Sequence, residues 1–167
     1  MHTHPLAKYM KYIYPGDWQG VGELMLSSAN KLANSGADFL ICPDNTIHQA
    51  LPYVEPRSPL PWLHIADVVA AQALERGFKN IGLTGTRWLV ESEVYPEKLA
   101  PLGLKYVRPN TAEREEINRI IMEELVYGVF KRRFTLVPPH PAPHGVRPPE
   151  QVGGWNRVSV AKSSRRS

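Results

Sequence analysis

Cysteine is almost missing from this sequence: Cys42 is the single one in 167 residues. One thiol excludes an internal disulfide framework and a cysteine-rich zinc site. Long apolar runs are missing too, and nothing approaches the roughly 18 residues that mark a membrane-spanning helix. The opening stretch, Met1 to Asp17, has neither a long apolar centre nor a small-residue cleavage site, which argues against a secretory signal. A cytoplasmic address is therefore expected. No internal repeat is visible. What remains, 43% apolar and 22% charged residues, is the composition of an ordinary globular chain long enough to bury a core.

The net charge of +4 is unevenly spread. Residues 131–167 carry 8 Lys and Arg against one acid, Glu150, and 6 of the 16 prolines. The first 130 residues carry 12 basic and 15 acidic residues, so the body is mildly acidic. Bulk charge therefore gives no support to a specific nucleic-acid interface. The sequence divides into an α/β region over 1–130 and a basic, Pro/Arg-rich tail over 131–167. The tail shows no sustained period of 2 or 3.6 and reads as disordered.

The body alternates helical and short apolar segments. Asp17 is placed to cap a helix from Trp18 to about Asn34, with Val21, Leu24, Met25, Leu32 and Ala33 on its apolar side and Gly36 beyond its end. Phe39 to Cys42 reads as a buried strand, followed by a polar loop, Pro43 to Thr46, and a short helix from Ile47 to Leu51. After a proline-rich link, Trp62 to His64 reads as a second strand and Ala66 to Arg76 as a helix closed by Gly77. Lys79 to Leu83 is a third strand running into Thr84-Gly85-Thr86. A helical stretch over 93–99, a strand over 105–107 and a long helix capped by Thr111 and running to about Tyr127, closed by Gly128, complete the pattern. Strand-loop-helix repetition of this kind predicts an α/β fold with a parallel sheet flanked by helices. In such sheets ligands lie beyond the carboxyl ends of strands. Two hydroxyl-bearing loops occupy that position, Asp44-Asn45-Thr46 and Thr84-Gly85-Thr86.

Several of these segments, in this order, resemble a known family. Ile41-Cys42-Pro43-Asp44-Asn45-Thr46-Ile47-His48 resembles the Cys-Asn-Thr-x-His loop of the aspartate/glutamate racemases. Leu63 to Asp67, Ile81 to Arg87 with Glu91, Ser92 and Tyr95 behind, and the helical stretches Glu115 to Ile121 and Glu124 to Gly128 resemble further segments of that family. The likeness spans roughly residues 17–130. It implies a partial copy of a two-half α/β architecture and cofactor-independent racemisation or epimerisation of an amino acid. The substrate would be a small amino acid or dicarboxylate. By resemblance, Asp44 takes the first base position and Asn45, Thr46 and Thr86 hold the substrate carboxylate, with Thr84 a weaker candidate. No cofactor and no metal are implied. Relatives in the superfamily act on hydantoins, maleate and arylmalonates by the same proton-transfer logic, so several substrate classes stay open.

Three departures bear on activity. Asp44 stands where the family has its first cysteine, and carboxylates ionise near about 3.9 against about 8.5 for a thiol, so Asp is the weaker base unless its surroundings raise its pKa. The second cysteine motif is absent, and the chain leaves the pattern at Phe130 for a tail resembling a lost reading frame. The family's first strand and glycine-rich turn are also absent. The expectation is a chain truncated at both ends with impaired activity. The alternative is a non-catalytic carboxylate-binding module or inactive fragment.

Plain structural roles compete at each position. Asp44 suits an Asx-turn or a cap, Asn45 and Thr46 a turn, Cys42 simple packing, and His48 a hydrogen-bonded helix histidine. His2 and His4 read as solvated, and Glu113, Glu115, Glu116, Glu123 and Glu124 as the wet face of a helix. A truncated sheet should expose an edge and an apolar face, which predicts poor solubility or a homo-oligomer. Light scattering should then give a mass above the 18.8 kDa of one chain. A monodisperse monomer with a sharp unfolding transition would contradict this.

Overall fold

The structure, a computed structural model, describes residues 1–130, and the expected basic tail lies outside the described residues. Helix α2 (Trp18–Asn34) forms where the sequence places it, and Asp17 caps it by accepting the Gly20 N–H through Oδ1 at 2.8 Å. An unexpected helix, α1 (Leu6–Ile13), precedes it. Its signal is present in hindsight: Leu6, Tyr9, Met10 and Ile13 follow helical spacing behind Pro5. Tyr9, Met10 and Ile13 join the core under α2. Gly20 is required at the crossing, because a Cβ there would lie 2.2 Å from the Tyr12 ring.

Strand β1 (Leu40–Ile41) pairs in parallel with β2 (Trp62–Leu63), in the register Leu40 to Trp62 and Ile41 to Leu63. The connection runs through a 3-10 turn (Thr46–Ala50) and α3 (Leu51–Val54), as a parallel pair requires a crossover. Helix α4 (Ile65–Glu75) follows and ends at Gly77, which takes φ +72. Strand β3 (Asn80–Gly82) pairs in parallel with β4 (Lys105–Val107), with α5 (Arg87–Val90) and α6 (Pro96–Leu99) between them.

The α/β class with parallel strands is as expected, but the sheet is divided. Among the described residues β1–β2 and β3–β4 form two separate two-stranded sheets. Each stands over its own core. Val21, Met25, Leu26, Ile47, Leu51 and Val54 fill the first. Ala70, Ala73, Leu99 and Leu104 fill the second, with Ile81, Tyr95 and Tyr106 packed against them. Apolar sheet surface is left uncovered: Ile41 is 69% exposed and its register partner Leu63 47%.

The last helix departs from expectation at both ends. Asn110, not Thr111, is the cap. Its Oδ1 accepts the Glu113 N–H at 3.0 Å while Glu113 Oε2 accepts the Asn110 N–H at 2.9 Å. Helix α7 (Thr111–Arg119) then widens into a π turn (Ile120–Glu124). The wider turn stacks residues five apart, and Arg119 donates to Glu124 at 2.8 Å. Glu124 is consequently buried rather than on the wet face. His2 is not solvated either; it bonds Ser28 and Lys31 of α2.

Leu99 is fully buried at the centre of the second core. Leu99→Ala should cost roughly 2–5 kcal/mol of folding free energy, read as a lower urea midpoint.

Candidate functional site

The two polar loops meet. The Thr46 and Thr86 hydroxyls, 40 residues apart in sequence, lie 3.3 Å from each other. Each follows a strand, β1 in one sheet and β3 in the other, so the contact joins the two cores. Three further hydrogen bonds close the junction. Tyr95 Oη donates to Asn45 Oδ1 at 2.6 Å. Gln49 Nε2 donates both to the Thr46 carbonyl at 3.2 Å and to the Trp88 carbonyl at 2.9 Å.

Thr86 is the cap residue of α5, yet its hydroxyl makes no capping bond and turns to Thr46 instead. Gly85 before it lies so close to Leu89 that a Cβ would stand 3.0 Å from Leu89 Cδ2. Thr84 is exposed and, among the described residues, its side chain makes no hydrogen bond. The structure therefore brings Asn45, Thr46 and Thr86 together and leaves Thr84 outside the network.

Asp44 is exposed, and its Oδ1 accepts the Thr46 backbone N–H at 2.8 Å, forming an Asx-turn. Its carbonyl accepts from His48 Nδ1 at 2.8 Å and from the Cys42 thiol at 3.6 Å. Burial pushes the Cys42 thiol up, so near neutral pH it remains protonated and inert. Cys42 packs against the first core, as a plain strand-end cysteine does.

His48 is the buried pin of this loop, only 2% exposed. Nδ1–H donates to the Asp44 carbonyl, so Nε2 is the acceptor for the Ile65 N–H at 3.2 Å. That pair of bonds is made only by the neutral ring. Burial lowers the His48 pKa, with a smaller opposing pull from Asp44. His64 stands edge-on, its ring centre 4.9 Å away. It caps α4 by accepting the Ala66 N–H at Nδ1. Burial first, then His48 and Lys98, push His64 down to about 4.

Two hollows flank this pin. One of about 530 Å³ has His48, Gln49, His64, Ser92, Glu97 and Lys98 in its wall. The other, about 340 Å³, lies between Gln49, Arg87, Trp88 and Ser92. Neither wall includes Asp44, Asn45, Thr46, Thr84 or Thr86, and the two half-buried threonines, Thr46 and Thr86, touch each other directly. Among the described residues no group of three or more His, Cys, Asp or Glu could hold a metal ion. No described helix is long and apolar enough to cross a membrane.

Sequence reasoning missed Tyr95 and Gln49 as site-building residues. Tyr95 carried a signal, its place behind the Gly-Thr segment; Gln49 carried none. His48 is a hydrogen-bonded histidine of the 3-10 turn, in keeping with its plain structural role.

The lowered histidines fix a pH dependence. The unfolded chain takes up protons near about 6.5 that the folded chain refuses, so stability falls as pH drops from about 6.5 toward 4. Urea midpoints at pH 7 and pH 5 should differ, and His64→Gln should reduce that difference.

Comparison with known proteins places this geometry. The family model described as Asp/Glu/Hydantoin racemase matches residues 2–134. A crystal structure of a Yersinia pestis protein named after the Asp/Glu racemases is 33% identical, with a TM-score of 0.68 over 78% of this chain. An aspartate racemase homologue from Pyrococcus horikoshii OT3 is 33% identical, with a TM-score of 0.60 over 72% of this chain. The chain spans 57% and 54% of those two proteins, little more than half of each. With two strand-end loops joined at Thr46 and Thr86, and a family match over most of its length, this chain belongs to the Asp/Glu/Hydantoin racemase family.

Proposed function

We propose that the Thr46–Thr86 rim holds the α-carboxylate of a small amino acid or dicarboxylate, and that the inherited reaction is cofactor-independent racemisation or epimerisation. The observation that carries this reading is the 3.3 Å approach of the two hydroxyls. In the free protein one hydroxyl donates to the other. A carboxylate accepts from both at once, so binding exchanges one neutral hydrogen bond for two charge-assisted ones. The Asn45 amide adds a third donor beside them.

The chemistry follows from that placement. Removing the α-proton sends its electron pair toward the carboxylate, and donors fixed where the charge develops lower the barrier. Asp44 is the proposed base. Oδ1 is engaged with the Thr46 N–H, which leaves Oδ2 to take the proton. The proton returned to the opposite face comes from an acid outside the residues assigned here. Acidic amino acids are the proposed substrates by family membership.

Deuterium entry at Cα tests this reading, with D- and L-aspartate and glutamate in heavy water. The wild-type chain should incorporate solvent deuterium, Asp44→Asn should stop it, and Thr86→Val should weaken binding roughly tenfold or more. Binding without exchange would leave a carboxylate-binding module and remove Asp44 as base. Absence of binding would remove the rim itself.

A further inference from the structure

We propose that Tyr95 is a positioning residue that locks the polarity of the Asn45 amide, so that only its NH2 end faces a ligand and selects a carboxylate over an amide. The proposal rests on the carboxylate-binding reading of the rim.

An asparagine side chain has two ends of similar shape, a carbonyl that accepts and an NH2 that donates. Which end faces a ligand decides what the ligand can be. Here the carbonyl end is occupied. The Tyr95 Oη to Asn45 Oδ1 separation is 2.6 Å, which suits O–H···O and is shorter than the usual N–H···O contact. Reversing the amide would place NH2 against the phenol and leave the Tyr95 O–H without its acceptor. Half-burial opposes that loss. Burial also raises the Tyr95 pKa, which keeps the phenol a donor at neutral pH.

The tyrosine is itself held. Its ring packs against the second core, and its backbone carbonyl accepts the N–H groups of Lys98 and Leu99 at the start of the α6 turn. A residue anchored in one core thus sets the orientation of a side chain on the other core's loop. Among the described residues the Asn45 NH2 has no hydrogen-bond partner, so it is the end left for a ligand. Threonine hydroxyls rotate and serve donors or acceptors alike. A locked amide does not, and so the discrimination falls on Asn45.

The experiment compares L-aspartate with L-isoasparagine, which replaces the α-carboxylate by an amide, by NMR titration of the full chain. The wild type should prefer aspartate by about tenfold or more. Tyr95→Phe should bring the two affinities within about threefold of each other. Equal weakening of both ligands with the preference kept would overturn the proposal, since a purely structural role predicts that. Should Tyr95→Phe fail to fold, Asn45→Asp serves instead. It keeps an acceptor for Tyr95 and removes the donors, so undiminished aspartate binding would overturn the proposal. If the wild type binds neither ligand, the carboxylate reading falls, and nuclear Overhauser contacts judge Tyr95 separately. Asn45 NH2 protons found beside the Tyr95 ring edge would reverse the amide and sink the lock; their absence there, with the Tyr95 hydroxyl proton protected from exchange, would uphold it.

Discussion

Everything at the candidate site depends on the junction between two small cores. Neither two-stranded sheet is large enough to shape a pocket alone. The loops leaving β1 and β3 are held against each other by three hydrogen-bonded ties, Thr46 to Thr86, Asn45 to Tyr95, and Gln49 to Thr46 and Trp88. The Asn45–Tyr95 tie reaches a ring packed on the second core, while Trp88 packs on the first.

His48 supports that junction from below. It links the Asp44 carbonyl to the first N–H of α4, and it does so only as a neutral ring. Burial lowers the pKa of His48, and burial together with His48 and Lys98 lowers that of the neighbouring His64, which favours the neutral form of both rings. Asp44 lies at the exposed end of this arrangement, and its Oδ1 accepts the Thr46 N–H. A thiol in the Cys42 position is the opposite case: half-buried, raised in pKa by that burial and packed on the core.

Much of the local structure was legible because it depends on neighbours in sequence. The Asp17 cap, the Gly77 and Gly128 stops and the strand at Lys105–Val107 each follow from a few adjacent residues. Errors fell where a longer-range contact overruled the local pattern. Helix α1 is short and takes its stability from packing on α2, so its apolar spacing was easily passed over. The break of α7 into a π turn accompanies the bond from Arg119 to the buried Glu124, a pairing no helical period predicts.

For the site, the sequence by itself determined the chemistry on offer: two hydroxyl-bearing loops after apolar strands, an aspartate before the Asn-Thr pair, and a family pattern specific enough to identify. Only the tertiary structure decided which of those groups meet. Thr84 and Thr86 are two residues apart and equivalent by composition, yet only Thr86 reaches Thr46. Tyr95 and Gln49 became part of the site because side chains distant in sequence converge when two cores close on each other. That convergence is set by packing between elements, and no spacing along the chain encodes it.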